Sequence, residues 1–172
     1  SKHVAAMRRL RAEDSQTHLI AATLASTFEQ GRSAVLRFEP TDCLLGLAVN
    51  NVINKASAPA VRLRLLDEVD ESGARFMTLR FKLYVELKRH DEARAILRHP
   101  DMSSLLTSLK GDKDQGFKVH YGDSIGRRAL ALGECQLALP WLELAQSTQP
   151  DPQRAKLIKT ARVQQKPNGL CE

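Results

Sequence analysis

The sequence predicts an all-α protein, and three observations carry that expectation. Leu, Ala and Arg are abundant while aromatics make up only 5% of the chain, and straight-chain residues and alanine lose the least freedom in a helix. β-branched residues alternating with polar ones, the mark of a half-buried strand, are nearly absent. Apolar residues instead recur three and four apart in one stretch after another. With 172 residues and 42% hydrophobic content, the chain is long enough to bury a core and too apolar for wholesale disorder.

In order, residues 2–12 put Val4, Met7 and Leu10 at spacings suited to a short amphipathic helix. Asp14 or Ser15 is placed to cap a second helix carrying Leu19, Ile20, Leu24 and Phe28, with Gly31 as its stop. Residues 33–40 read either as a helical turn or as a short extended piece. Thr41 is placed to cap a helix with Leu44, Leu47, Ala48 and Val52 as one stripe and Leu45, Val49 and Ile53 beside it. That arc is wide enough to make the helix central to the N-terminal half. Pro59 suits the first turn of the next helix, with Val61, Leu65, Leu66 and Val69 inward, and 70–73 is a turn.

Residues 74–89 place Phe76, Leu79, Leu83 and Leu87 on one face, flanked by Phe81, Tyr84 and Val85. Asp91 caps a short helix that ends before Pro100, and Asp101 caps another. The stretch 111–116 is loop-like, with two glycines and no apolar side chain. Helices follow at about 117–132, 134–148 and 152–164, giving nine to ten in all. The expectation is one all-helical domain over 1–164, with N-terminal helices in 1–70, helical pairs in 74–164 and a flexible tail at 165–172.

Within 126–150, small residues fall where two helices would touch. Gly126 lies on the first helix, Gly133 marks the turn, and Ala138, Leu142 and Ala145 recur down the second before Pro150. Together with Gly122, Ile125 and Ala129, this resembles a tetratricopeptide repeat over 119–152. The family's early aromatic positions are held here by Gly122 and Ala129. A weaker copy lies at 74–100, where Tyr84, Ala93 and Leu97 match in order and Phe81 stands in the glycine position. Ala93 and Ala138 are 45 residues apart, so an array would need the helix at 102–110 and the loop after it as an insertion. The resemblance implies a short α-solenoid whose first helices line a concave, peptide-binding face. Leu142 would fill the groove between one unit and the next. Carried over by position, the lining residues are Arg75, Thr78, Lys82 and Glu86 in the weak copy and His120, Asp123, Arg127 and Ala131 in the strong one. Arg75, Lys82, His120 and Arg127 would make that face mainly positive, suited to an acidic segment or a carboxylate. The asparagines of carboxylate-clamp members are absent.

The net charge of +6 is concentrated in 71–110 and in the last 22 residues. Arg154, Lys156, Lys159 and Arg162 form a basic stripe, which offers nucleic-acid binding through 75–98 and 154–166 as the alternative function. No aromatic platform is interleaved with it. The five histidines never pair at metal-ligand spacing, and no catalytic constellation or cofactor motif emerges. Trp141 is placed to pack between helices. Cys43, Cys135 and Cys171 form no C-x-x-C pair, which points away from a disulfide framework and towards a reducing compartment, cytoplasm or nucleus. Cys43 and Cys135 sit in apolar patterns and are expected to face a core or groove. No stretch is apolar enough to span a membrane. The start at Ser1-Lys2 reads as a piece of a longer protein. The expected function is a non-enzymatic interaction scaffold or adaptor, working inside a larger assembly.

Overall fold

The computed structural model describes residues 2–39, 42–56, 58–70 and 76–171, with side chains from Ala12 onward. Among these residues there are ten helices and no strand. None of the helices is long and apolar enough to cross a membrane. Contacts divide the chain into two compact units, Ser1–Phe76 and Met77–Glu172.

The first unit holds α1 (Lys2–Leu24), α2 (Phe28–Val35), α3 (Leu45–Ile53) and α4 (Pro59–Val69). Residues 2–24 are one continuous helix, not two. Its hydroxyl side chains do not cap a break: Thr17 donates to the Glu13 carbonyl at 3.0 Å and Ser15 reaches Asp42, so the helical ladder runs on. Contacts Ser15–Asp42, Thr23–Asn51 and Ala25–Lys55 advance together, so α3 runs parallel to α1. Lys55 closes the end of α1 by donating to the carbonyls of Ala22 and Ala25, where the helix dipole favours a cation. Gly31 is not a stop but lies within α2, and a Cβ there would sit 2.7 Å from Val52 Cγ2. Leu45, Ala48, Val49, Val52 and Ile53 are buried as α3 lies between its neighbours, while Leu47 is 52% exposed. Leu44 and Leu47 therefore mark the edge of the buried arc, while Ala48 and Val52 of the same stripe lie inside it. Thr41, read as a cap, lies outside the described residues. Cys43 is exposed in the turn before α3, not core-facing.

The second unit holds α5 (Met77–Glu86), α6 (His90–Leu97), α7 (Pro100–Gly111), α8 (Gln115–Ala131), α9 (Cys135–Thr148) and α10 (Pro152–Gln164). α6 ends at Leu97, before Pro100 as the sequence indicates, and Pro100 itself opens α7 at a first-turn position that needs no N–H, with His99 rather than Asp101 as the cap. The loop at 111–116 shrinks to three residues because Asp114 caps α8 through the Phe117 amide at 3.1 Å. One core joins Phe81, Ala93, Leu97, Met102, Ile125, Ala129 and Trp141.

The α5–α6 and α8–α9 corners are built alike. Lys88 (φ 57°) and Gly133 (φ 77°) hold the left-handed position in each. Arg89 N–H donates to the Tyr84 carbonyl at 2.8 Å, and Glu134 N–H to that of Ala129 at 3.0 Å. Lys88 bonds back to Val85 as Gly133 does to Leu130, and Ala93 to Arg89 as Ala138 does to Glu134. Every partner is displaced by the interval that separates Ala93 from Ala138, and both alanines are fully buried.

The segment 165–171 is not frayed. It folds back on the α8–α9 corner: Gln136 N–H donates to the Gly169 carbonyl at 2.9 Å, Cys171 N–H to that of Gly133 at 2.7 Å, and Cys135 and Cys171 form a disulfide. The absence of a cysteine motif concealed this pairing because the two sulfurs meet only through the turn after α10.

Candidate functional site

The second unit is positioned by glycine. A Cβ on Gly122 would lie 2.6 Å from the Trp141 carbonyl oxygen, and one on Gly126 2.6 Å from Leu142 Cγ. α8 and α9 therefore approach to backbone-on-side-chain distance. Leu142 packs onto Gly126 of its own pair rather than between one pair and the next. Trp141 is 3% exposed and packed between helices.

Of the four residues read from the repeat resemblance, Arg75 lies outside the described residues. Lys82 projects from α5, its Nζ 4.0 Å from Glu86 Oε1. His120 is exposed on α8 with its ring edge-on to Tyr121 at 5.6 Å. Arg127, two turns further along α8, places Nε 3.3 Å from Asp123 Oδ1. Lys82 and Arg127 each have a carboxylate on their own helix, so the positive character of this face is tempered by Glu86 and Asp123.

Asp123 belongs to the architecture. Arg154, only 3% exposed, grips it in a two-pronged pair, Nε to Oδ1 at 2.8 Å and Nη2 to Oδ2 at 2.7 Å. The same guanidinium donates to the Gln149 carbonyl, so one side chain ties α10 to α8 and to the end of α9. The Arg154 hydrogen bonds hold the Asp123 carboxyl below its usual range, with the charges of Arg154 and Arg127 adding, against the opposing effect of burial. The Arg154 guanidinium is pushed up by the same bonds. The basic stripe on α10 is thereby reduced: Arg154 is interior, and Arg162 pairs with Glu143 at 2.7 Å. Lys156 and Lys159 remain exposed.

Glu134, at the α8–α9 corner, is a buried acid at 3% exposure. Arg98 lies 2.6 Å and Arg94 3.4 Å from its Oε1, and Arg94 also donates to the Leu132 carbonyl at 3.0 Å. The repeat reading passed over this residue.

α9 has a further face. Pro140, Glu143, Leu144 and Ser147 recur three and four apart, away from the Ala138–Leu142–Ala145 face that meets α8. On one side, α10 forms a groove of ≈ 490 Å³ over Ala155, Ile158 and Val163, rimmed by Lys159 and Arg162. On the other, α7 and the start of α8 form one of ≈ 760 Å³, with Lys110 and Lys118 on its rim and Pro140 and Leu144 in its floor. Glu143 and Ser147 line both. The signal for this face was a second helical stripe on 140–147, hidden behind the stronger small-residue stripe. Set against known proteins, the chain matches no family model, and no curated protein or solved structure gives a significant match.

Proposed function

We propose that the chain is a non-enzymatic protein-interaction scaffold or adaptor, a short tetratricopeptide-like α-solenoid that holds a partner segment as a piece or subunit of a larger assembly. The observation that carries this reading is the repeated helix-turn-helix corner, with its residue-for-residue backbone bonds at α5–α6 and α8–α9. Paired helices stacked through small residues present long open faces, and such faces suit extended or helical partner segments. On this reading Lys82, His120 and Arg127 line a partner-binding face, and the sequence adds Arg75. The buried position of Arg154 and the Arg162–Glu143 pair weigh against the alternative of a nucleic-acid-associated protein.

The test is partner capture from the native source, with nuclease treatment, by wild-type protein and by a Lys82→Glu/Arg127→Glu variant. A defined protein partner that survives nuclease and is lost in the variant supports the reading. Capture that vanishes with nuclease, together with a gel shift that weakens steeply with salt, would replace it with the nucleic-acid one.

A further inference from the structure

We infer that the outward face of α9, with its walls from α10 and from α7–α8, docks an acidic amphipathic segment of a partner protein. This rests on the interaction reading above but assigns the partner a surface that the repeat resemblance does not use. The α9–α10 groove has an apolar floor, with the buried Ile158 at its base, Ala155 beside it and Val163 standing 79% exposed at its edge; the α7–α8 groove has Pro140 and the buried Leu144. The rim is basic. Lys110, Lys118, Lys159 and Arg162 surround it, and the acid among the lining residues, Glu143, is already held by Arg162. That pair is solvent-exposed on both sides, so an incoming carboxylate can take Arg162 at little cost. Lys118 donates to the Lys110 carbonyl at 3.3 Å, which ties the start of α8 to the end of α7 along the wall of the second groove.

Apolar floor and cationic rim together select the occupant. A phosphate backbone would use the cations and leave the exposed Val163 and Ala155 without a partner. A helix with Leu on one face and Glu on its flanks satisfies both, its leucines over the α9–α10 floor and its carboxylates on either wall.

The probe is a fluorescein-labelled peptide of about five helical turns with that Leu/Glu pattern, and a twin in which every Glu is Lys. The full chain is expected to bind the acidic peptide more weakly as salt rises and to ignore the twin. Lys118→Glu/Lys159→Glu and, separately, Val163→Asp are each expected to weaken binding by about tenfold or more, about 1.4 kcal/mol. Lys159 and Val163 are exposed and Lys118 is half-buried, and unchanged far-UV circular dichroism and melting confirm that the variants fold. Amide shifts at Ser147, Ile158 and Val163 are expected on titration. Binding untouched by either variant, or lost only in Lys82→Glu/Arg127→Glu, overturns this surface while leaving the scaffold reading in place. Absence of acidic-peptide binding in protein that still captures its native partner overturns the partner chemistry proposed for this face. A single-stranded oligonucleotide that binds through these lysines when the peptide does not overturns both.

Discussion

A methyl group added at Gly122 would meet the Trp141 carbonyl oxygen, which is backbone and cannot step aside, whereas one added at Gly126 meets the Leu142 side chain, which has other rotamers. Gly122→Ala is therefore expected to destabilise the second unit by about 2–3 kcal/mol and Gly126→Ala by about 1–2 kcal/mol. Gly111→Ala, with nothing within 4 Å of the new atom, should stay within about 0.5 kcal/mol of wild type. Urea unfolding followed by Trp141 fluorescence orders the three, and an equal cost at all of them would sink the close-approach account. The same probe reads Asp123. Its carboxyl is held low in the folded state, so the stabilisation is complete above the unfolded value of about 3.9 and drains away as pH falls through the folded value. The unit should lose stability on acidification below about pH 5, and Asp123→Asn should flatten that slope. At neutral pH the same change leaves Arg154 buried without its counter-charge, at a cost of about 3 kcal/mol. Small residues at helix spacing made Gly126, Ala138 and Ala145 readable in advance. Gly31 and Arg154 were not: a glycine looks the same as a stop or as a contact, and an arginine in a basic stripe looks solvated until its partner, 31 residues upstream, is brought beside it.

Two helix pairs with the same corner but different left-handed residues invite a direct comparison. Lys88 takes φ 57° where the other corner has glycine, a conformation that a side chain enters only at a cost. Lys88→Gly should raise the melting point of the second unit, by about 0.5–1 kcal/mol in stability. No gain would mean that Lys88 is relaxed there. Glu134 fastens the second corner to α6, and Glu134→Gln should cost about 2 kcal/mol, reduced from a fully buried pair because Arg94 and Arg98 are partly in water. Arg98→Met in the same background should then add almost nothing, a coupling that a double-mutant cycle measures. The helices of these pairs were legible because their periodicity is local. Glu134 was not, because Arg98 lies 36 residues away and the residue itself sits beside a glycine that reads only as a turn. The closing segment was missed for a similar reason. Pro167 and Gly169 signal a frayed tail, yet Gly169, at φ 84°, is the turn that lets the chain return to Gln136. Reduction, or Cys171→Ser, should release that segment, lower stability by about 3–4 kcal/mol on the loop-entropy account, and speed amide exchange at Gln136 and Cys171.

At the scale of the molecule, composition and apolar spacing indicated an all-helical chain, and the described residues form helices and no strand. Its division was not legible. Residues 74–89 carry an unbroken apolar period, yet Phe76 and Met77 fall in different compact units, because periodicity tells which face of a helix is apolar and not which core it joins. A reading as one domain over 1–164 follows naturally from that continuity. Each unit nevertheless has its own buried set, Leu45, Val49, Val52 and Leu66 in the first and Phe81, Leu97, Ile125 and Trp141 in the second. A unit with its own core is expected to fold alone. The second also carries an internal disulfide and a half-buried ion pair. Residues 77–172 expressed by themselves should therefore be helical and should unfold cooperatively in urea. Since Trp141 is the one tryptophan in the chain, its fluorescence reports the same unit in the fragment and in the full chain. The two midpoints should agree. A fragment that binds a hydrophobic dye, emits like an exposed indole and melts without a transition would show that 77–172 borrows its order from the first 76 residues.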